Sequence, residues 1–374
     1  MKRTICIFLM MLLVVAGCVT ERPAEVTTLP SATQSPTATG NVDTPPPTST
    51  ATERPKRDWN ITDNGIDGIG TMRGNTNGNL YLDGRAVDAG SIIYYVDYIE
   101  LCILSYDKES ESESIIYETS DESKQTIRCL NWYADVLYFA IGNAVYAYSP
   151  VNGQVVRIHE EYSDAPYVYN LHVAYDLLFI GYSRNDTICL NASTYEFMYR
   201  YEGYYVESIM DGRLYGYYHA DEKYTSMHPD GTEEREYPPF QIAADGKLYY
   251  LDEEWADLPA DFDPSIPDDF GNTWDMSQYF MQWKYPAAAK LHITDIASGE
   301  TKVRYITEIP CAPFMNIWHD KIYLQLSGHD YCGKPFLMNM DWEWLGQVHN
   351  YDFAMGITLI DGRPAYEFGV YCDP

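Results

Sequence analysis

Asp245-Gly246-Lys247-Leu248-Tyr249-Tyr250 is the stretch on which the fold reading turns. Asp-Gly is a hairpin signal, because a tight turn between twisted strands needs positive φ at one or both central residues. The aliphatic and aromatic residues that follow have the composition of a strand. Towards the N-terminus the unit recurs as Asp211-Gly212-Arg213-Leu214-Tyr215, Tyr175-Asp176-Leu177-Leu178-Phe179, Ala134-Asp135-Val136-Leu137-Tyr138 and Ala89-Gly90-Ser91-Ile92-Ile93-Tyr94. Towards the C-terminus it recurs as His319-Asp320-Lys321-Ile322-Tyr323 and Asp361-Gly362-Arg363-Pro364-Ala365-Tyr366. The aligned aromatics, at 94, 138, 179, 215, 249, 323 and 366, are spaced by 44, 41, 36, 34, 74 and 43 residues. One interval is nearly doubled and the others cluster around a single period.

Each unit carries a second strand and turn, as in Ala144-Val145-Tyr146-Ala147-Tyr148 before Val151-Asn152-Gly153 and Leu291-His292-Ile293-Thr294 before Ala297-Ser298-Gly299. Four short strands in roughly 40 residues are the sequence form of a β-propeller blade. The prediction is an all-β propeller of seven blades, with six as the alternative if the last unit merges into the first blade. Residues 59–82 are placed to supply the strands that the last unit lacks, since a closed ring protects every sheet edge. Asp211, Asp245 and Asp361 are read as turn residues, and the repeated tyrosine as packing with its hydroxyl at the rim.

Composition narrows the function. Of the 374 residues, 55 are Asp or Glu and 25 are Lys or Arg, a net charge of −30, which argues against nucleic-acid binding. Thirty-five tyrosines suit strands better than helices. The acidity is not spread evenly: residues 58–374 hold 51 acidic against 19 basic residues, a net −32, while 19–57 are balanced.

Lys2 and Arg3 precede an apolar run from Ile5 to Val15, followed by Val15-Ala16-Gly17-Cys18. A basic start, a short apolar stretch and small residues before a cut describe a secretory signal over residues 1–17. The last four residues resemble the lipobox of bacterial lipoproteins. That resemblance implies a diacylglyceryl-modified Cys18 carrying palmitate-type chains, a membrane anchor and an extracellular location. Residues 19–57 contain ten Thr, seven Pro and three Ser and no aromatic residue, a composition that cannot bury enough apolar surface to fold. Residues 18–57 thus read as the lipidated Cys and a disordered tether, reaching ~120 Å when extended. The propeller domain follows over 58–374.

The doubled interval holds an insert at about 252–287, rich in acid and aromatic residues. Trp255, Asp261, Asp263, Asp268, Asp269, Trp274 and Trp283 are its candidate ligand-binding residues, because rings stack on sugar faces while carboxylates accept hydroxyl hydrogen bonds. Asp261-Phe262-Asp263-Pro264-Ser265-Ile266-Pro267-Asp268-Asp269 offers oxygen ligands at alternate positions, yet lacks the glycine and terminal glutamate of an EF-hand loop. No cofactor or metal is assigned, with Ca²⁺ kept as the alternative.

Enzyme motifs fail elsewhere. No Gly-x-Ser-x-Gly, His-Glu-x-x-His or Walker loop occurs. Ser105-Tyr106-Asp107-Lys108 fits Ser-x-x-Lys but sits at a strand end, without the helix that motif needs. Once Cys6 is cleaved and Cys18 lipidated, six cysteines remain, for which Cys102–Cys129 and Cys311–Cys332 are the local pairs and buried free thiols the alternative.

The Asp-Gly-x-Leu-Tyr-Tyr units, with Gly74-Asn75-Thr76-Asn77-Gly78-Asn79 leading into a first strand, resemble the propeller domain of unknown function found in Gram-positive lipoproteins. That domain looks related to low-density-lipoprotein-receptor-type propellers. The resemblance covers roughly residues 70–374. It implies a fold and no catalytic residues. The expected function is a lipid-anchored extracellular module that binds or scaffolds an envelope polysaccharide or protein. No catalytic residue is assigned; a carbohydrate-active hydrolase or lyase on the same scaffold is the alternative.

Overall fold

The computed structural model describes residues 61–66, 72–97, 100–119, 126–161, 167–182, 186–257, 284–306, 313–328, 331–332, 336–347 and 357–365. One short helix, α1 (Asn77–Tyr81), precedes a succession of antiparallel sheets. Blade 1 holds β1 (Ala86–Asp88), β2 (Ile92–Asp97), β3 (Cys102–Asp107) and β4 (Ser112–Glu118). Blade 2 holds β5 (Ile127–Tyr133), β6 (Val136–Ile141), β7 (Ala144–Ser149) and β8 (Gln154–Glu160). Blade 3 holds β9 (Val168–Ala174), β10 (Leu177–Tyr182), β11 (Asp186–Asn191) and β12 (Phe197–Tyr201). Blade 4 holds β13 (Tyr204–Met210), β14 (Arg213–Tyr218), β15 (Lys223–Met227) and β16 (Arg235–Tyr237). Blade 5 holds β17 (Ile242–Ala244), β18 (Lys247–Asp257), β19 (Lys284–Asp295) and β20 (Thr301–Ile306). Blade 6 holds β21 (Pro313–Trp318), β22 (Lys321–Gly328), β24 (Phe336–Asn339) and β25 (Trp344–Gln347), with β23 (Tyr331–Cys332) paired to the end of β22. The last described strands, β26 (Leu359–Ile360) and β27 (Arg363–Pro364), form a hairpin.

The structure therefore has six blades, not the predicted seven. Among the described residues the seventh sequence unit supplies two strands only. That hairpin is wedged between blades 6 and 1. Ile360 and Ala365 pack with Ala86, Ile93 and Tyr95 of blade 1, and Leu359 packs with Tyr323 of blade 6.

Burial falls from the inner strands outward. In blade 3, β10 is buried along its whole length, while β12 is mostly open. Stacked blades cover both faces of their inner and middle strands, so these read as continuous apolar runs rather than alternating ones. Leu178, Phe179 and Ile180 are fully buried, each contributing about 1.5–3 kcal/mol. The repeated tyrosines are buried too, and their hydroxyls reach across blade boundaries: Tyr138 donates to the Ala192 carbonyl at 3.0 Å and Tyr323 to that of Gly362 at 2.8 Å.

The turns between the first and second strands of the blades follow the sequence reading. Asp211 and Gly212 have φ of 50° and 69°, and Asp245 and Gly246 have 49° and 70°, both residues positive as a type I′ turn requires. Cys102, Cys129 and Cys189 are buried free thiols, so the Cys102–Cys129 pairing is not formed. Desolvation pushes the Cys129 thiol up to about 12, which keeps it protonated and unreactive.

Among the described residues the chain before β1 does not add a strand to close the ring. Instead Gly74-Asn75-Thr76-Asn77-Gly78-Asn79 runs into the centre and bonds to the innermost strand of every blade. Asn75 Nδ2 donates to the carbonyls of Ala86 on β1 and Leu130 on β5, at 3.0 and 2.7 Å. The Gly74 amide donates to Val173 on β9 at 2.7 Å. Asn77 Nδ2 reaches Ile209 on β13 and Ala243 on β17 at 2.9 and 2.7 Å. Asn79 accepts from Asn316 on β21 and donates to Leu359 on β26. Asparagine suits this task because its amide holds both a donor and an acceptor, as a peptide group does. Asn77 returns the Ile209 amide bond at 3.1 Å, and Asn79 the Leu359 amide bond at 2.8 Å. Each therefore pairs with a strand as another strand would.

Candidate functional site

The central segment decides where a ligand can sit. Strands of an antiparallel blade alternate in direction, so all turns between first and second strands lie on one rim, here the A–B rim. The segment enters along it: the carbonyls of Asp63, Asn64 and Met72 accept from the turn amides of Asp211, Asp245 and Tyr175. It is fastened there by a buried ion pair, Arg73 Nε to Asp63 Oδ1 at 3.1 Å. The Tyr175 hydroxyl donates to the other Asp63 oxygen at 3.0 Å and accepts from the Gly212 amide. Burial raises the pKa of the Tyr175 phenol, with the Asp63 charge adding to it. Asp211 beside it is also raised, chiefly by desolvation.

Beside this fastening the A–B rim opens into a chamber of about 240 Å³. Its floor is the central segment itself, through Asn75, Thr76 and Asn79, and its walls include Asn64, Val87, Asp88, Trp318, His319, Leu359, Ile360 and Asp361. Two blades, the hairpin and the segment thus contribute to one cavity.

The polar groups around it divide into committed and unspent. Asn75 and Asn79 use both donor and acceptor within the hub. Asp88 is held by Lys108 Nζ through both carboxylate oxygens, at 2.8 and 2.7 Å, and accepts from the Gly90 amide. Among the described residues, the Asp361 carboxylate, the Asn64 Nδ2 and the Trp318 indole N–H have no hydrogen-bond partner. The Trp318 ring is set edge-on to His319, with centroids 5.3 Å apart. Gly362 makes room for it: a Cβ there would collide with the indole, and the residue's φ of +69° suits glycine in any case.

Trp255 lies on β18, its backbone opposite Pro286 on β19. Asp261, Asp263, Asp268, Asp269, Trp274 and Trp283 fall outside the described residues, as do the Ca²⁺ candidate they include, Cys18 and the tether. The β18–β19 hairpin accounts for the doubled interval: its strands pair as far as Asp257 opposite Lys284, lengthening the blade rather than adding another. Its open end lies on the rim opposite the A–B turns. Among the described residues no three His, Cys, Asp or Glu side chains converge to hold a metal.

The chamber residues escaped the sequence reading for an identifiable reason. Asp361 was assigned to turn chemistry, and its backbone does have the turn's φ of 49°. What marks it as more is convergence, since seven such turns share one rim. The available signal was unit six, where a tryptophan and a histidine, Trp318-His319, lead into the turn.

No protein-family profile matches the chain, and no curated protein matches it. Among solved structures, BamB from Moraxella catarrhalis is similar at 10% identity and a TM-score of 0.41, over 73% of this chain and 78% of that one. A chain of the mitotic checkpoint complex is similar at 12% identity and a TM-score of 0.45, over 88% of this chain and 91% of that one. Likeness at this level carries no functional argument, and the propeller assignment rests on the sheet order.

Proposed function

We propose that this protein is a lipid-anchored binding module of the extracellular envelope, which holds an envelope glycan or protein group in the A–B-rim chamber. The observation that carries this is the division of polar groups around the chamber. Beside a ring centre filled by its own chain lies a cavity whose free groups, among the described residues, are an indole, an amide and a carboxylate. Those are recognition groups. A glycosidase needs two carboxyl groups acting in concert. Of the two carboxylates lining the chamber, Asp88 is already bound by Lys108, which favours binding over hydrolysis.

The anchor and location rest on the lipobox-like Val15-Ala16-Gly17-Cys18 and the balanced, aromatic-free tether. Cys18→Ala should release the protein into the medium; retention in the membrane fraction would contradict the anchor. For the chamber, Trp318→Ala should weaken binding to a purified envelope fraction at least ten-fold with the fold intact by circular dichroism. Unchanged binding removes the chamber from the function. Deleting residues 258–283 tests the insert separately, and a loss of binding there would move the site to the opposite rim.

A further inference from the structure

We propose that the A–B-rim chamber selects a single pyranose bearing a free amine, an amino sugar, by stacking its ring on Trp318 and holding its ammonium on Asp361. The inference rests on the chamber being the binding site and names the ligand class it takes.

Size sets the first limit. A cavity of about 240 Å³ is smaller than the roughly 300–1,000 Å³ typical of drug-sized ligands and has room for about eight waters. One sugar ring fits within that. Trp318 supplies a partly buried aromatic wall, and Val87, Leu359 and Ile360 supply apolar surface beside it. Asn64 Nδ2 is a free donor for a ring hydroxyl.

Charge sets the second. Lys108, beside the chamber, is held on Asp88. Among the described residues no Lys or Arg lines the cavity, so a phosphate or carboxylate entering it would meet no lysine or arginine counter-charge from them. The opposite sign is abundant. Each first turn on this rim carries an aspartate at or beside it: Asp88, Asp135, Asp176, Asp211, Asp245, Asp320 and Asp361. Some of these are committed, Asp176 to Tyr133 and Asp211 to the Asp63 amide. Their charges still focus a negative potential on the rim, which concentrates cations and repels anions. Asp361 is the unpaired member that also lines the cavity. An ammonium there gains a charge-assisted hydrogen bond and the π face of the indole together.

The test is calorimetric titration of the full-length protein in detergent with glucosamine, N-acetylglucosamine, glucose, glucuronate and putrescine. Glucosamine is expected to bind at least ten-fold tighter than N-acetylglucosamine or glucose, and glucuronate not at all. Putrescine, which has the amine but no ring face, should be weaker than glucosamine. Asp361→Asn should bring the glucosamine-to-glucose ratio close to one, whereas Trp318→Phe should weaken both sugars and keep their ratio. Glucuronate binding as well as glucosamine, or a ratio unmoved by Asp361→Asn, overturns the proposal. If no sugar binds while Trp318→Ala still abolishes attachment to the envelope fraction, the ligand class is wrong and the chamber stands. If Trp318→Ala changes neither measurement, the chamber assignment itself has failed.

Discussion

Tyr138 in the blades and Asn77 in the central segment are both buried and both hydrogen-bond across a blade boundary, yet they do so on different terms. Tyr138 sits in a hairpin that its own neighbours shape, packs as part of an apolar wall, and donates across the boundary to the Ala192 carbonyl. Removing that bond leaves the hairpin and the wall in place. Asn77 lies in a helix of five residues, too short to be stable alone, and its side chain makes three bonds to residues far along the chain and a fourth to Arg73. Without it, blades 4 and 5 lose the bonds that tie β13 and β17 to the helix at the centre. Blade units are locally encoded and redundant; the hub is encoded at a distance and has no substitute.

Asn77→Ala should give the largest effect. It removes the side-chain partner of the Ile209 amide and of the Ile209 and Ala243 carbonyls, at about 1–3 kcal/mol each. A loss of roughly 5 kcal/mol in urea unfolding is expected, comparable to the whole stability of a marginal domain. A loss below about 1 kcal/mol would show the hub to be ornamental to stability.

Acid should probe the same region nearly as strongly. His172 is buried near Arg73, and desolvation lowers its pKa from 6.5 to about 3. Between those values the unfolded chain takes a proton that the folded chain refuses, so stability is complete above pH 6.5 and declines as pH falls towards 3. The expected loss is on the order of 4 kcal/mol. Asp211, whose pKa is raised, works in the opposite direction near the carboxylate range and offsets part of it. His172→Gln should flatten the slope between pH 6.5 and 3; an unchanged slope would assign it to other groups.

Gly78→Ala inverts an ordinary expectation. In an open helix this change stabilises by up to about 1 kcal/mol. Here the added Cβ would collide with the Asn316 amide oxygen, which accepts from the Ile317 amide while Nδ2 of the same side chain donates to the Ile357 carbonyl. The expected outcome is destabilisation by about 2 kcal/mol, in the range for overpacking, read from the thermal midpoint. Tyr138→Phe should be mildest, costing about 1 kcal/mol for one neutral hydrogen bond. If it proved as costly as Asn77→Ala, the contrast between wall and hub would collapse.

Much of the blade architecture could be read directly. Asp211-Gly212 and Asp245-Gly246 announce their turns because few other residue pairs accept two positive φ values, and the strand after each is recognisable from its composition. Blade number was overread: Asp361-Gly362 makes the same turn as the others, but two strands and their packing are all that follows it among the described residues. Gly74–Asn79 was noticed as a motif and placed as the approach to a strand. Nothing local in six small polar residues says that they fill a ring. The chamber is silent in the sequence for a related cause: it is built of turn residues that converge only in three dimensions, whereas the insert's aromatic and acidic residues are neighbours in the chain.

Sequence by itself determined the hairpins, their repetition and the acidity of the folded part, since backbone dihedral preference, side-chain alternation and charge are properties of neighbouring residues. Tertiary structure alone decided the role of the asparagines and the position of the chamber. The carbonyls that Asn77 binds belong to residues 132 and 166 positions further along the chain. A hydrogen-bond partner at that distance leaves no trace in local pattern. It exists only once the ring has brought its inner strands around the segment that holds them.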